Sequence, residues 1–415
     1  MKKIFAYIPL FLTAIACTND DNYSWDNFVD KTATDTIRIN IVYNGTSVNV
    51  TGDDYGFVTA NGADVIVKSS TNSFLQLVLS GESNDGSLLI YSWRKNGVLL
   101  NGLNLTNADG PAINNQCGKS FYVTSAEGTT NTLTDGATYS TAPINAKGDT
   151  IDQKATLFSE GQIYFNGTGT LNIYGNAKNG VASDDYVTIL SSTINIKVDS
   201  TGSNGIKTND GMFIKGGNLN IDVTADGARG IKNDARTEIS GGTTTIITRG
   251  ACKIETIDGI TDTTSCAGIK SDSLLLVTGG TLNITSTGDG GKGINCSMEY
   301  QQTGGILIIT TTGTKNLSNP QGLKADGNIT ISGGEAYVAT TRKAFTTDAS
   351  FFINGGTVMG IGKKASSDNQ GSQKSYTEED EDVDKGATVI SNGVTYTVPS
   401  FYSCKEAYIL TSKKE

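Results

Sequence analysis

The chain has 415 residues, a formal net charge of −10, 50 glycines, 5 prolines and no histidine. The missing histidine excludes Ser-His-Asp and Cys-His catalysis and most zinc sites, which leaves acid–base work to Asp, Glu, Lys, Arg or Tyr. An acidic chain with no basic cluster argues against nucleic acid as a partner.

Residues 1–16 read as a secretory signal: Lys2 and Lys3, an apolar run over 4–12, then small residues. The signal ends Ala14-Ile15-Ala16-Cys17, which resembles a bacterial lipobox, an ordinary cleaved signal being the alternative. On the lipobox reading Cys17 is acylated, so a lipid anchors the protein to the outer membrane. Asp20-Asp21 resembles the surface-export signal of Bacteroidota lipoproteins, which implies exposure at the cell surface. Residues 17–35 read as a polar tether. In 36–60, Ile37, Ile39 and Ile41 alternate, Asn44-Gly45 suits a hairpin turn, and Val48 and Val50 alternate again. This hairpin is expected to cap a sheet end that would otherwise be an unpaired edge.

From 61 to 180, short apolar runs separated by Gly, Asn and Asp predict four or five strand-built coils of irregular length. From 180 to 362 one motif recurs seven times, opening at Gly180, Gly205, Gly230, Gly268, Gly293, Gly322 and Ala344. Most openings continue with an aliphatic residue, Lys and an acid, as in Gly230-Ile231-Lys232-Asn233-Asp234. A Gly-Gly pair follows six of them, then a short alternating strand such as Thr281-Leu282-Asn283-Ile284-Thr285. Apolar period two is strand, not helix, and a repeat near 25 residues means stacked supersecondary units. The expected fold is all-β: a right-handed parallel β-helix over 61–362 with three short strands per coil. Counting each opening as zero, positions +1 (Val181 to Phe345), +9 (Ile189 to Ile353) and +16 are predicted to point inward and stack.

Between Thr248 and Gly268 one coil carries an insert holding Cys252 and Cys266, a plausible disulfide in an exported protein. Cys296 falls at an inward position and is expected to be a buried thiol. Residues 363–386, with Glu378-Glu379-Asp380-Glu381-Asp382, read as an acidic surface loop, and 387–415 as capping strands.

Outward positions carry the candidate chemistry. Position +2 holds Lys207, Lys232, Lys270 and Lys324, the expected substrate-binding ladder. Position +4 holds Asp184, Asp234, Asp272, Asp326 and Asp348, with Asp185 and Asp210 one step off. Stacked carboxylates about 5 Å apart repel by roughly 1 kcal/mol in water, which interleaved lysines or bound calcium would offset. Both readings stay open: a self-neutralising solvated face, or a row of calcium ligands. Asn172, Asn195, Asn220 and Asn283 are expected to point outward, as partners for sugar hydroxyls or as plain solubilising residues. No aromatic platform for sugar stacking is evident in the regular coils.

The run Leu103-Asn104-Leu105-Thr106-Asn107, then Asn131-Thr132-Leu133-Thr134-Asp135-Gly136, then Gly-Ile-Lys-x-Asp with Ile-x-Ile-x-Gly-Gly resembles the carbohydrate-binding domain-containing lipoproteins. That resemblance implies a pectate-lyase-like β-helix that binds plant-type polysaccharides, cellulose or acidic pectin, with calcium on coil aspartates and no demonstrated cleavage. The expected function is therefore a surface-anchored, non-catalytic polysaccharide-binding protein. A structural adhesin and a calcium-dependent polysaccharide lyase using one of the ladder lysines are the alternatives.

Overall fold

The computed structural model describes residues 36–145, 147–257, 259–363 and 376–412. The expected signal, Cys17 and tether lie outside the described residues. From Ile37 onward the contacts form one unit.

The repeat closes into a parallel β-solenoid of about 12 turns, roughly 25 residues each, with no helix among the described residues. Alternation is the reason: Thr281–Ser286 buries every second residue, and so do Thr243–Thr248 and Asn218–Val223 before it. The turns follow from glycine. The second residue of each Gly-Gly pair has positive φ, from 72° at Gly242 to 75° at Gly217. Only glycine adopts that backbone without cost. Ser192, with φ of 80°, fills this place in the first regular coil.

Each coil lays one strand on each of three faces. The first face is a 12-stranded sheet whose parallel members run from Asp64–Ser69 to Lys343–Thr347. Four of its parallel strands precede the regular repeat, at Asp64–Ser69, Ser87–Ser92, Ile113–Asn115 and Ala155–Ser159. The second and third faces form a 24-stranded sheet. They are joined by the long strand Asn96–Thr106, which pairs with both Phe121–Ser125 and Thr130–Thr134.

The inward stacks run as the spacing predicts. Val181, Ile206, Ile231, Ile269, Ile294, Leu323 and Phe345 follow one another in register, all fully buried. Burying each such side chain contributes about 2 kcal/mol. The +9 stack contains one polar member, Gln302, also fully buried. Its amide donates to Glu335 O at 2.9 Å and accepts from Tyr300 Oη at 2.9 Å, so the polar group costs little there.

Both ends are covered. The hairpin Thr36–Asn44 and Ser47–Thr51 pairs with Phe74–Ser83 at the N-terminal end. At the other end Cys404–Ser412 runs antiparallel to Thr357–Gly362. Here the expected acidic loop is corrected. Tyr376–Val383 is a strand, paired antiparallel with Cys404–Ser412. Backbone pairing decides its structure, and the exposed Glu378 to Asp382 put charge on the final edge strand, which discourages further strand addition.

The expected Cys252–Cys266 disulfide is also corrected. The insert is a hairpin, Lys253–Ile257 with Ile260–Thr264, and both flanking cysteines are free buried thiols. Cys252 Sγ donates to Asn316 O at 2.8 Å and Cys266 Sγ to Gly250 O at 2.6 Å, so the two sulfurs turn to different carbonyls.

Candidate functional site

The first face carries both predicted ladders. Register places Lys207, Lys232, Lys270, Asn295 and Lys324 in one outward column. Each of three lysines turns to the aspartate two residues along its own strand. Lys232 lies 3.2 Å from Asp234, Lys270 lies 2.5 Å from Asp272, and Lys324 contacts Asp326. Where the acid is missing at Ser297, its hydroxyl accepts from Lys270 and donates to Asp272 at 3.1 Å. Burial pushes the Asp272 carboxyl up, but Lys270 and Ser297 outweigh it and hold it below its ordinary value. Lys207 has Asn209 at the aspartate's place and makes no ion pair among the described residues.

The aspartates do not converge on a cation. Asp234, Asp326, Asp348 and Asp210 are exposed, spread along successive coils. Asp185 accepts from Gln162 Nε2 at 2.6 Å, and burial followed by the nearby Asp210 raises its pKa. Among the described residues one acidic group brings three ligand atoms within 4.8 Å of one another: Asp152, Glu160 and Asp184. Only Asp184 was expected. Glu160 stands at the ladder position one coil earlier, because Ser159 pairs with Ser183, so extending the repeat by one coil would have found it. Asp152 comes from an irregular segment with no periodic signal. Burial raises the pKa of Glu160, and Asp184 and Asp152 raise it further. Lys154 Nζ sits among them, 2.6 Å from both Asp152 and Asp184. A calcium ion therefore fits neither the lysine-paired column nor, without moving Lys154, this trio.

Towards the N-terminal end the same face opens into a cleft of about 590 Å³, lined by Lys68, Tyr91, Trp93, Gln116, Asn145 and Lys147 among others. One side is the irregular segment before Lys154, strapped to the sheet by Asn114 Nδ2 donating to Asp152 O at 2.9 Å. Trp93 is 59% exposed. Its ring is held by Nε1 donating to Thr71 O at 2.7 Å and flanked by the Arg94 guanidinium at 5.6 Å. Tyr91 lies beside Lys68 in register. An exposed, fixed indole beside amides and ammonium groups is the arrangement that stacks on a sugar while hydrogen-bonding its hydroxyls. Sequence reasoning missed Trp93, which lies outside the regular coils.

On the third face Asn172, Asn195 and Asn220 stack in register and hydrogen-bond in series, at 2.9 and 2.8 Å. They border a shallow depression of about 340 Å³ with Tyr174, Lys197 and Asp222. Asn283 pairs with Thr245 and Ile308 in the same column but outside the amide series.

Residues 61–369 match the family described as carbohydrate-binding domain-containing protein. The chain belongs to that family. A solved structure also matches, the polysaccharide lyase-like protein from C. thermocellum, in a gadolinium derivative, at 24% identity and a TM-score of 0.50. The alignment covers 63% of this chain and 94% of that one, and it shows a shared fold. No curated protein matches the chain in sequence.

Proposed function

We propose that this protein is a non-catalytic polysaccharide-binding protein, held at the outer-membrane surface by a lipid on Cys17, that grips plant-type glycan in the Trp93 cleft. The observation that carries the reading is Trp93 itself: a largely exposed ring fixed by its own hydrogen bond, on a cleft whose rim offers Gln116, Asn145, Lys68 and Lys147. Membership of a carbohydrate-binding family supports it. Cellulose and uronate-rich, pectin-like polymers are the ligands proposed, the two ammonium groups, Lys68 and Lys147 against the single carboxylate of Asp149, favouring the latter.

The lysines argue for binding without cleavage. A lyase needs a base free of its proton in an open site, which for a lysine means a lowered pKa. Lys232, Lys270 and Lys324 repeat at equivalent positions and are neutralised by aspartate. Lys292, lowered to about 8, is buried between the hydroxyls of Ser265 and Ser318.

The test is a pull-down of residues 18–415 on cellulose and on pectate gel, with the ultraviolet absorbance of unsaturated product followed in the same tubes. Binding without product, lost about tenfold or more in Trp93→Ala, is expected. Product would make the protein a lyase. Unchanged binding by Trp93→Ala would remove the cleft from the account. For calcium we propose one place, the Asp152–Glu160–Asp184 trio, where a cation displacing Lys154 would offset the burial and the mutual repulsion that raise Glu160. Terbium luminescence should then strengthen in Lys154→Ala and vanish in Asp184→Asn. No signal in either protein would dismiss calcium from this surface.

A further inference from the structure

The second face carries a feature that neither the ladders nor the cleft explains. Five aromatic residues, spread over six levels of the solenoid, form one column on its outer side: Phe74, Tyr122, Tyr164, Tyr186 and Phe213. Neighbouring ring centroids lie 5.8, 5.2, 5.8 and 5.7 Å apart. All five are half-buried and none belongs to the core. Tyr122 and Tyr164 are paired in register and stack at 21°. Tyr186 is turned 85° to both Tyr164 and Phe213.

The column is kept continuous where the register would break it. Gly97 occupies the slot before Tyr122, and a Cβ there would come within 3.2 Å of the Phe74 ring, so Phe74 lies across the gap. Thr188 occupies the slot between Tyr164 and Phe213, and the ring there comes from Tyr186, two residues earlier. Beside Tyr186 stands Gly211, where a Cβ would meet the Phe213 ring at 2.8 Å. At the next level the column ends on Glu238, bound to Arg236 at 2.7 Å.

We propose that this column is a second glycan track, which binds an extended, neutral, equatorially linked pyranose polymer along the solenoid axis, one sugar residue per ring. The proposal rests on the carbohydrate-binding reading but not on the Trp93 cleft, which lies on another face. Three features support this occupant. The ring spacing matches the length of one pyranose residue in such a chain. The C–H faces of these sugars are apolar and pack on aromatic rings, while their equatorial hydroxyls point sideways to polar partners. The Tyr164 and Tyr186 hydroxyls, bonded to each other, and the charged pair at Glu238 supply those partners along the track. With two tracks on two faces, one molecule would engage two chains of a fibre and gain avidity without new contacts.

The test uses a soluble β-1,4-linked glucose hexamer and isothermal titration of the mature chain. The double variant Tyr164→Leu, Phe213→Leu keeps apolar area and removes two rings. It should bind the hexamer about tenfold more weakly, while its binding to pectate stays within about twofold of the parent. A second readout needs no variant: the hexamer should protect Tyr122 and Tyr164 from iodination, mapped by mass spectrometry. The proposal is overturned if the parent does not bind the hexamer, if the double variant binds it as tightly as the parent, or if iodination is unaffected at saturation. Pectate binding that depends on Trp93 would survive each of these results, so the two readings fail separately.

Discussion

Every regular coil but the last opens on glycine, and the structure gives a steric reason that a double-mutant cycle tests. Gly230 does not need positive φ; it needs space. A Cβ built there lies 2.2 Å from Ile246 Cγ2 across the core and 2.7 Å from Gly268 O on the next coil. Gly180, Gly205, Gly268, Gly293 and Gly322 face an Ile or Val in the same way, at 2.1 to 2.5 Å. The last coil opens on Ala344 instead, and the facing residue is Gly360, where a Cβ would lie 3.1 Å from that of Ala344. One methyl group is exchanged for another across the core. Gly230→Ala should therefore overpack the coil, at a cost of about 1–3 kcal/mol. Ile246→Ala alone should cost about 2–5 kcal/mol through the cavity it leaves. Together they should cost at least ~1 kcal/mol less than the sum, because each relieves the other's defect, though the contact with Gly268 O remains. Equilibrium urea unfolding by circular dichroism measures this, provided that fluorescence gives the same transition, since repeat arrays can lose cooperativity. Additivity within ~0.5 kcal/mol would refute the steric account of the opening glycine.

Three further outcomes are expected. Gln302→Leu should destabilise by about 1–3 kcal/mol despite its greater apolarity, because Tyr300 Oη and Glu335 O lose a buried partner; a neutral or stabilising result would show that these groups re-pair. Lys292 is 6% exposed, and burial, with Lys324 close by, lowers its pKa to about 8. Its unfolded form holds the proton to higher pH, so the destabilisation is complete below pH 8 and is relieved as pH rises towards the unfolded value. Stability of the parent relative to Lys292→Met should thus climb between pH 8 and 9.5, by up to ~2 kcal/mol, and a flat difference would contradict the buried-ammonium picture. Burial raises the Cys266 thiol to about 11, and Cys252 is itself shielded from reagent by burial, so alkylation of both should be slow in native protein and complete in urea, with mass spectrometry expected to find no bridge between them.

The sequence alone determined whatever one coil can specify for itself. Alternation fixed the strands and the inward faces, and the Gly-Gly pairs fixed the turns. The recurring motif fixed the register that stacks Ile206 on Ile231 and Lys207 on Lys232. Lys and Asp at neighbouring outward positions were legible, and so was the possibility that they neutralise one another. Only the tertiary structure decided what depends on chain returning from unequal distances. Corner loops of variable length carry no period, yet they bring Asp152 to Asp184, set Trp93 beside Asn145 and align Phe74, Tyr122, Tyr164, Tyr186 and Phe213 into one column. The acidic run from Glu378 looked like solvated loop because its side chains are solvated; its backbone is nevertheless paired with Cys404–Ser412, a partner that local composition does not reveal. Cys252 and Cys266 flank one hairpin in sequence, but the coil beneath offers each sulfur its own carbonyl, and that choice belongs to the packed structure.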